Sequence, residues 1–220
     1  MKLKAVKKES LVDVACRELV ERFVTLKLPP SSVWSEAELS ALIGIGRTPV
    51  REALLKMAYD QFFTVIKGAG ILISKISIED QLFVLETRRE LERLVSLRAA
   101  KRATDEERVV LAELATSIEE AGQGGDVLDY MKYHFKTKPF VAQCARNPYA
   151  ARALFPLHTL SQRFYFAYYK EFDNLSVVGR AHADLTRAIV SGDEASVATF
   201  STVVADIAEN FTRDLFNRTR

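Results

Sequence analysis

Between Leu11 and Ser74 the chain sets out helix, helix, turn, helix and hairpin in that order, and few folds accommodate it. Leu11, Ala15, Leu19 and Phe23 recur at four-residue steps, which marks one apolar helix face over residues 10–27. Leu28-Pro29-Pro30 stops that helix, because proline cannot continue one. Ser35-Glu36-Ala37-Glu38 has the form of a capping box, with Ser35 as N-cap, and predicts a short helix to about Leu42. Gly44 supplies a turn. Thr48-Pro49 then restarts a helix to about Tyr59, with Thr48 as N-cap and proline at the favoured first position. Two β-rich segments, Phe62–Lys67 and Ile71–Ser74, flank Gly68-Ala69-Gly70 and predict a hairpin with a glycine-bearing tip. This is the order of a winged helix-turn-helix.

From Ser77 onward no segment reads as a strand. Helical patterns cover about 78–101, 104–122, 126–146, 148–170, 176–191 and 193–217, joined by short breaks such as Asn147-Pro148 and Gly192-Asp193. Short loops between amphipathic helices predict an all-α bundle. The expected fold class is therefore mostly α: an N-terminal winged helix-turn-helix with a small β-hairpin wing (residues 1–74), plus an all-α C-terminal helical bundle (residues 77–220).

Composition removes several alternatives. At 220 residues, with 48% hydrophobic and 27% charged residues, the chain has material for a real core and is not of a disordered kind. The most apolar stretch, Phe62 to Ile78, is broken by Lys67 and Lys75, so no membrane helix is expected. The basic start (Lys2, Lys4, Lys7, Lys8) lacks a following apolar segment, which argues against a signal peptide and for a cytoplasmic location. Cys16 and Cys144 are too few for a disulfide framework and read as buried thiols. The net charge of +2 conceals an asymmetry: residues 1–74 carry 11 basic and 8 acidic side chains, and the remainder 20 and 21. The basic excess lies wholly in the helix-turn-helix half.

A helix-turn-helix presents the N-terminal side chains of its second helix to base edges in the major groove. Here those side chains are Arg47, Thr48 and Arg51. Arginine can bond guanine O6 and N7 in bidentate fashion, and Thr48 with the helix-start amides can hold a phosphate. Lys67 sits in the wing, where Gly68 and Gly70 let backbone approach DNA closely. The run Ser35-Glu36-Ala37-Glu38-Leu39, followed by Gly44 to Leu54 (Gly-Ile-Gly-Arg-Thr-Pro-Val-Arg-Glu-Ala-Leu), closely resembles the DNA-binding domain of the GntR family. The resemblance implies that Arg47, Thr48, Arg51 and the wing glycines contact double-stranded operator DNA. Three departures stand out. Ser31 replaces a usual glycine after Pro-Pro, Gly46 replaces a usual serine or threonine, and Gln61-Phe62 stands where glycine and leucine are common.

The helical remainder is similar to the FadR subgroup, with its effector-binding FCD domain. Glu86-Thr87-Arg88 through Leu91-Glu92, Asn147-Pro148, and His182 followed by Gly192-Asp193 carry that likeness. Many members hold a divalent metal with one aspartate and three histidines. Counted from Asn147, those positions here read His134, Lys138, His182 and Val204. A register through Asp129 or Tyr130 with His134 spoils the spacing to Asn147. Valine cannot coordinate and a protonated lysine repels a cation, so no metal or other cofactor is expected. In place of a metal, Lys138 offers a point charge and Arg88 a fork suited to a carboxylate. The expected effector is a small organic acid held by Arg88, His134, Lys138 and His182, unless Arg88 merely pairs with Glu92 four residues on and Lys138 is solvated. Pro139 should kink its helix beside the pocket. His158 reads as a satisfied core or surface histidine, and the aromatics Phe164, Tyr165, Phe166, Tyr168 and Tyr169 as core and interface packing, with pocket lining as the alternative.

These features predict a homodimeric regulator on a palindromic operator, because two-fold half-sites mirror two-fold protein symmetry. A dimeric DNA-binding protein with a vestigial pocket is the alternative. An enzyme is disfavoured: the three histidines are scattered, and no metal-ligand run, nucleophile elbow or phosphate-binding glycine loop appears.

Overall fold

The computed structural model describes residues 9–171 and 174–218. The chain divides into two compact units, with the division between Ile76 and Ser77. Each is built from locally capped helices.

In the first unit, Ser10 caps α1 (Leu11–Val24) by accepting the Asp13 amide, and α1 buries Ala15, Leu19 and Phe23 at four-residue steps. α1 ends earlier than expected: Thr25 is its C-cap and Leu26 turns to φ +59°. Ser35 and Glu38 form a full capping box on α2 (Glu36–Ile43), with bonds of 3.2 and 2.7 Å, and Gly44 closes it at φ +68°. α3 spans Arg47–Lys56 and buries Val50, Ala53 and Leu54. Its cap is Gly46 rather than Thr48, and Gly46 offers no side-chain bond. The earlier start is physically permitted because first-turn amides have no acceptor within the helix, so Pro49 in the third helical position gives up no helical hydrogen bond.

The wing is broader than a hairpin. A two-residue strand, β1 (Val33–Trp34), joins β2 (Phe63–Ile66) and β3 (Gly70–Ile73) in an antiparallel sheet of order β1-β3-β2. Gly70 sits opposite Ile66 in this sheet. A Cβ there would come within 2.6 Å of the Trp34 carbonyl oxygen, so the β1 approach itself requires glycine. Phe63, Ile71 and Ile73 face the core, where the Phe23 and Phe62 rings lie 5.0 Å apart.

The second unit is helical: α4 (Ile78–Arg102), α5 (Asp105–Gly124), α6 (Val127–Cys144), α7 (Pro148–Ala167), α8 (Leu175–Ser191) and α9 (Glu194–Arg218). Ser77, Thr104, Asp126 and Asn147 cap α4 to α7 through their side chains. α7 stops at Ala167, short of the expected residue 170, and a single 3-10 turn (Tyr169–Glu171) follows it. α6 continues through Pro139 as one helix. α4 packs on α6, α7 and α9, while α5 packs on α8. The core gathers Val95, Ala99, Leu111, Cys144, Leu154, Leu185, Ile189 and Val197. Arg108 ties two helix C-termini together by donating to the carbonyls of Ile189 (2.9 Å) and Ala100 (2.7 Å). Cys144 is fully buried, whereas Cys16 is only half-buried, contrary to expectation. The fold is thus mostly α, a winged helix-turn-helix plus a helical bundle.

Candidate functional site

Two places concentrate unspent chemistry. The first is the outer face of α3. Val50, Ala53 and Leu54 anchor the helix, which leaves Arg47, Thr48 and Arg51 exposed on its first turns. Arg51 is aimed by a neighbour: its Nε and Nη2 donate to the Glu36 carboxylate at 2.7–3.0 Å. The Arg51 side chain is 66% exposed, so this pair contributes little stability and mainly restricts where the guanidinium points. Glu36 had no role in the sequence beyond its place inside the capping box. Only its position at the start of α2, next to the start of α3, signals the pairing. Lys67 and Gly68 (φ +78°) form the exposed wing tip, and Gly70 serves the sheet.

The second place is a cavity of about 350 Å³ inside the helical bundle, lined from α4, α6, α7, α8 and α9. Its walls include Arg88, Tyr130, His134, Tyr165, His182, Ser201 and Val204. Arg88 is only 7% exposed. Its Nε and Nη2 donate to Glu92 Oε1 at 2.7 and 2.5 Å, while Nη1 has no hydrogen-bond partner. Lys138 Nζ donates to the other carboxylate oxygen at 2.5 Å, and His158 Nε2 lies 3.0 Å from Oε1. Glu92 is therefore a hub with three partners. Burial alone would push its carboxyl up, but Arg88 and Lys138 outweigh that and hold it well below the usual carboxylate range. Burial pushes the Lys138 ammonium down.

His134 and His182 meet edge to face with ring centroids 4.5 Å apart, and Tyr130 stacks on His134. Burial, then neighbouring positive charge, pushes both imidazoles well below the ordinary histidine value. They are neutral groups at pH 7.

The sequence-derived pocket residues are thus only partly gathered. Arg88, His134 and His182 line the large cavity. Lys138 lies off it, lining a small adjoining void with Glu92, His134 and His158. Lys138 is not solvated, and the Arg88–Glu92 pair exists without using up Arg88. His158 is a buried histidine satisfied by Glu92, as its reading as a core residue expects. The lining roles of Ser201 and Tyr130 were missed, and nothing local in the sequence marks them. Of the aromatic cluster, Tyr165 reaches the cavity.

The metal positions implied by the family resemblance fit poorly. His134 and His182 are suitable donors, but Lys138 is engaged by Glu92 and Val204 offers no donor atom. Among the described residues no group of three or more His, Cys, Asp or Glu side chains is arranged to hold a metal ion.

Comparison with known proteins agrees with this architecture. Residues 83–204 match the model of the FCD domain. The Nta operon transcriptional regulator of Aminobacter aminovorans is 26% identical over 191 residues, spanning 86% of this chain and 87% of that protein. The fatty acid metabolism regulator protein of Erwinia tasmaniensis is 29% identical over 145 residues, which span 57% of this chain and 60% of that one. The solved structure of E. coli McbR/YncC shares the fold with a TM-score of 0.81 at 17% identity, covering 94% of this chain and 99% of that one. A winged helix-turn-helix joined to such a bundle defines a class of DNA-binding regulator. The chain belongs to the GntR family of transcriptional regulators, in the group whose second domain is an FCD domain. It is a regulator and not an enzyme, as are these relatives. Among the described residues no helix is long and apolar enough to cross a membrane.

Proposed function

We propose that this protein binds a palindromic operator as a homodimer in the cytoplasm, and that a small carboxylate in the bundle cavity sets its DNA affinity. Arg47 and Arg51 read base edges, Thr48 holds a phosphate, and Lys67 and Gly68 bring the wing to the backbone, with Gly70 keeping the wing in shape. The observation that carries the effector half of the reading is the buried Arg88 Nη1, unpartnered at the wall of a cavity. An unmatched buried donor is costly, and a carboxylate oxygen is its natural complement. His134 and His182 add neutral polar surface, and Lys138 supplies charge from the adjoining void. Such a ligand alters DNA affinity by favouring one arrangement of the two DNA-binding units over another.

A thermal-shift screen of organic acids on wild type and Arg88→Met tests this. A ligand that binds only the native state raises its stability. Acids that raise the melting temperature of wild type but not of Arg88→Met support the reading. The contrary observation is that Glu92 already occupies two of the Arg88 nitrogens, as a resident carboxylate would in a vestigial pocket. A wild-type protein indifferent to every acid, yet still binding DNA, favours that second reading.

A further inference from the structure

We infer that Glu36 is a specificity-determining residue of the DNA face: it occupies one edge of the Arg51 guanidinium, keeps that arginine off phosphates, and leaves it a single two-donor edge for guanine. In this way it gives up general affinity for DNA and gains discrimination between sequences. The inference rests on the base-reading role proposed above for Arg51.

The geometry of the pair is specific. A guanidinium carries its N–H donors on two usable forks, a side fork from Nε and Nη2 and an end fork from Nη1 and Nη2. Glu36 takes the side fork: Nε donates to Oε1 at 3.0 Å and to Oε2 at 2.9 Å, and Nη2 donates to Oε2 at 2.7 Å. Arg51 Nη1 makes no hydrogen bond among the described residues, so the end fork keeps its outward donors. That fork suffices for the bidentate contact to guanine O6 and N7. The fold itself does not require the pair. The capping box on α2 is complete with Ser35 and Glu38, and an ion pair this exposed stabilises little.

A carboxylate on this face works against DNA binding in general. Hydrogen bonds from Arg51, then the charges of Arg51 and Arg47, hold the Glu36 carboxyl below the usual carboxylate range. Glu36 is therefore a fixed negative charge beside both arginines, where it opposes the phosphates. An arginine free to swing adds a phosphate contact on any sequence. One held by a carboxylate gives that contact up and keeps its groove-facing edge. A repulsive element of this kind raises specificity without a new favourable contact. The held side chain also loses less rotamer freedom when it meets a base, which protects affinity for the right sequence. The exposed Asp13–Lys56 pair, 2.7 Å apart at the opposite end of α3, offers a matched comparison, because neutralising Asp13 changes the net charge equally.

The test measures, by anisotropy over a salt series, the affinity of the full chain for an operator selected from random duplexes and for a scrambled duplex. Glu36→Gln should tighten the scrambled duplex about threefold or more, and steepen its log affinity against log salt by about 0.9, one phosphate contact. Operator affinity should gain less or fall, so the operator-to-scrambled ratio drops. Asp13→Asn should leave the ratio at the wild-type level. In an Arg51→Ala background, Glu36→Gln should leave the ratio where Arg51→Ala alone sets it. An unchanged ratio in Glu36→Gln, an equal drop in Asp13→Asn, or a further drop in the double variant overturns the inference. A ratio that Arg51→Ala itself leaves unchanged overturns instead the base-reading role of Arg51. Should Glu36→Gln fail to fold, Arg51→Lys reports on the same point. A lysine ammonium engaged by Glu36 has no second fork, so the ratio should drop as far as in Arg51→Ala, and a retained ratio overturns the inference.

Discussion

At the residue scale, the structure explains two departures from the family sequence. Ser31 (φ +64°) and Gln61 (φ +60°) both adopt the left-handed conformation, at positions where the resemblance to the family implies glycine. A side chain there costs about 1–2 kcal/mol, partly offset by the larger unfolded-state entropy of glycine. Ser31→Gly and Gln61→Gly should each stabilise the protein by about 0.5–1 kcal/mol in urea unfolding. A loss of stability in either would show that the strain is relieved by contacts of the present side chain. At the DNA face, Arg51→Ala should weaken operator binding by about 1–3 kcal/mol at fixed salt and relax sequence preference at one position. Glu36→Ala, which frees Arg51 without removing it, should cost less affinity but blur the same preference. A binding-site selection with each variant reads both effects.

At the scale of elements, what the sequence made legible was local. Ser35 with Glu38, and Thr104 at the α5 start, announce helix starts because their bonds span three residues. Gly44 and Gly192 mark helix ends by the conformation that only they adopt cheaply. The start of α3 was misplaced because Thr-Pro matches a cap signature, while Pro49 is equally tolerated two positions further in. β1 was missed because two residues carry no periodicity. The Glu92 hub was invisible for a different reason: Lys138 and His158 lie 46 and 66 residues away, and nothing but folding brings them together. The unfilled cap on α3 gives a prediction at this scale. Gly46 has room for a side chain and an extended backbone, so Gly46→Ser should add a capping bond and a few tenths of a kcal/mol. It should also tighten DNA binding by supplying a phosphate-facing hydroxyl. A gel shift at fixed salt that shows equal or weaker binding counts against placing this helix start on a phosphate.

At the scale of the whole molecule, every histidine of the sequence lies in the second unit, His134 and His158 buried and His182 half-buried, and each is held below its ordinary value. A group whose pKa is lower folded than unfolded binds its proton preferentially in the unfolded chain. Stability should therefore fall as pH drops below about 6.5, by up to about 1.4 kcal/mol per pH unit for each histidine. Glu92, also held low when folded, extends the loss below about pH 4.5. Denaturant midpoints measured from pH 7.5 to 5 check this; a flat profile would mean the imidazoles are protonated in the folded state. The charge asymmetry of the chain has a similar consequence. Its basic excess is small and confined to residues 1–74, so operator binding should lean on α3 contacts more than on bulk attraction.

The central claim joins the two units: a carboxylate in the Arg88 cavity changes how tightly α3 holds DNA. It is tested most directly by the affinity for an operator selected from random duplexes, measured by anisotropy with and without the tightest-binding carboxylate. The account predicts an affinity change of about fivefold or more in wild type, and none in Arg88→Met, whose ligand-free affinity stays at the wild-type level. An affinity in wild type that ignores the ligand at saturation, or a change that persists in Arg88→Met, would contradict it.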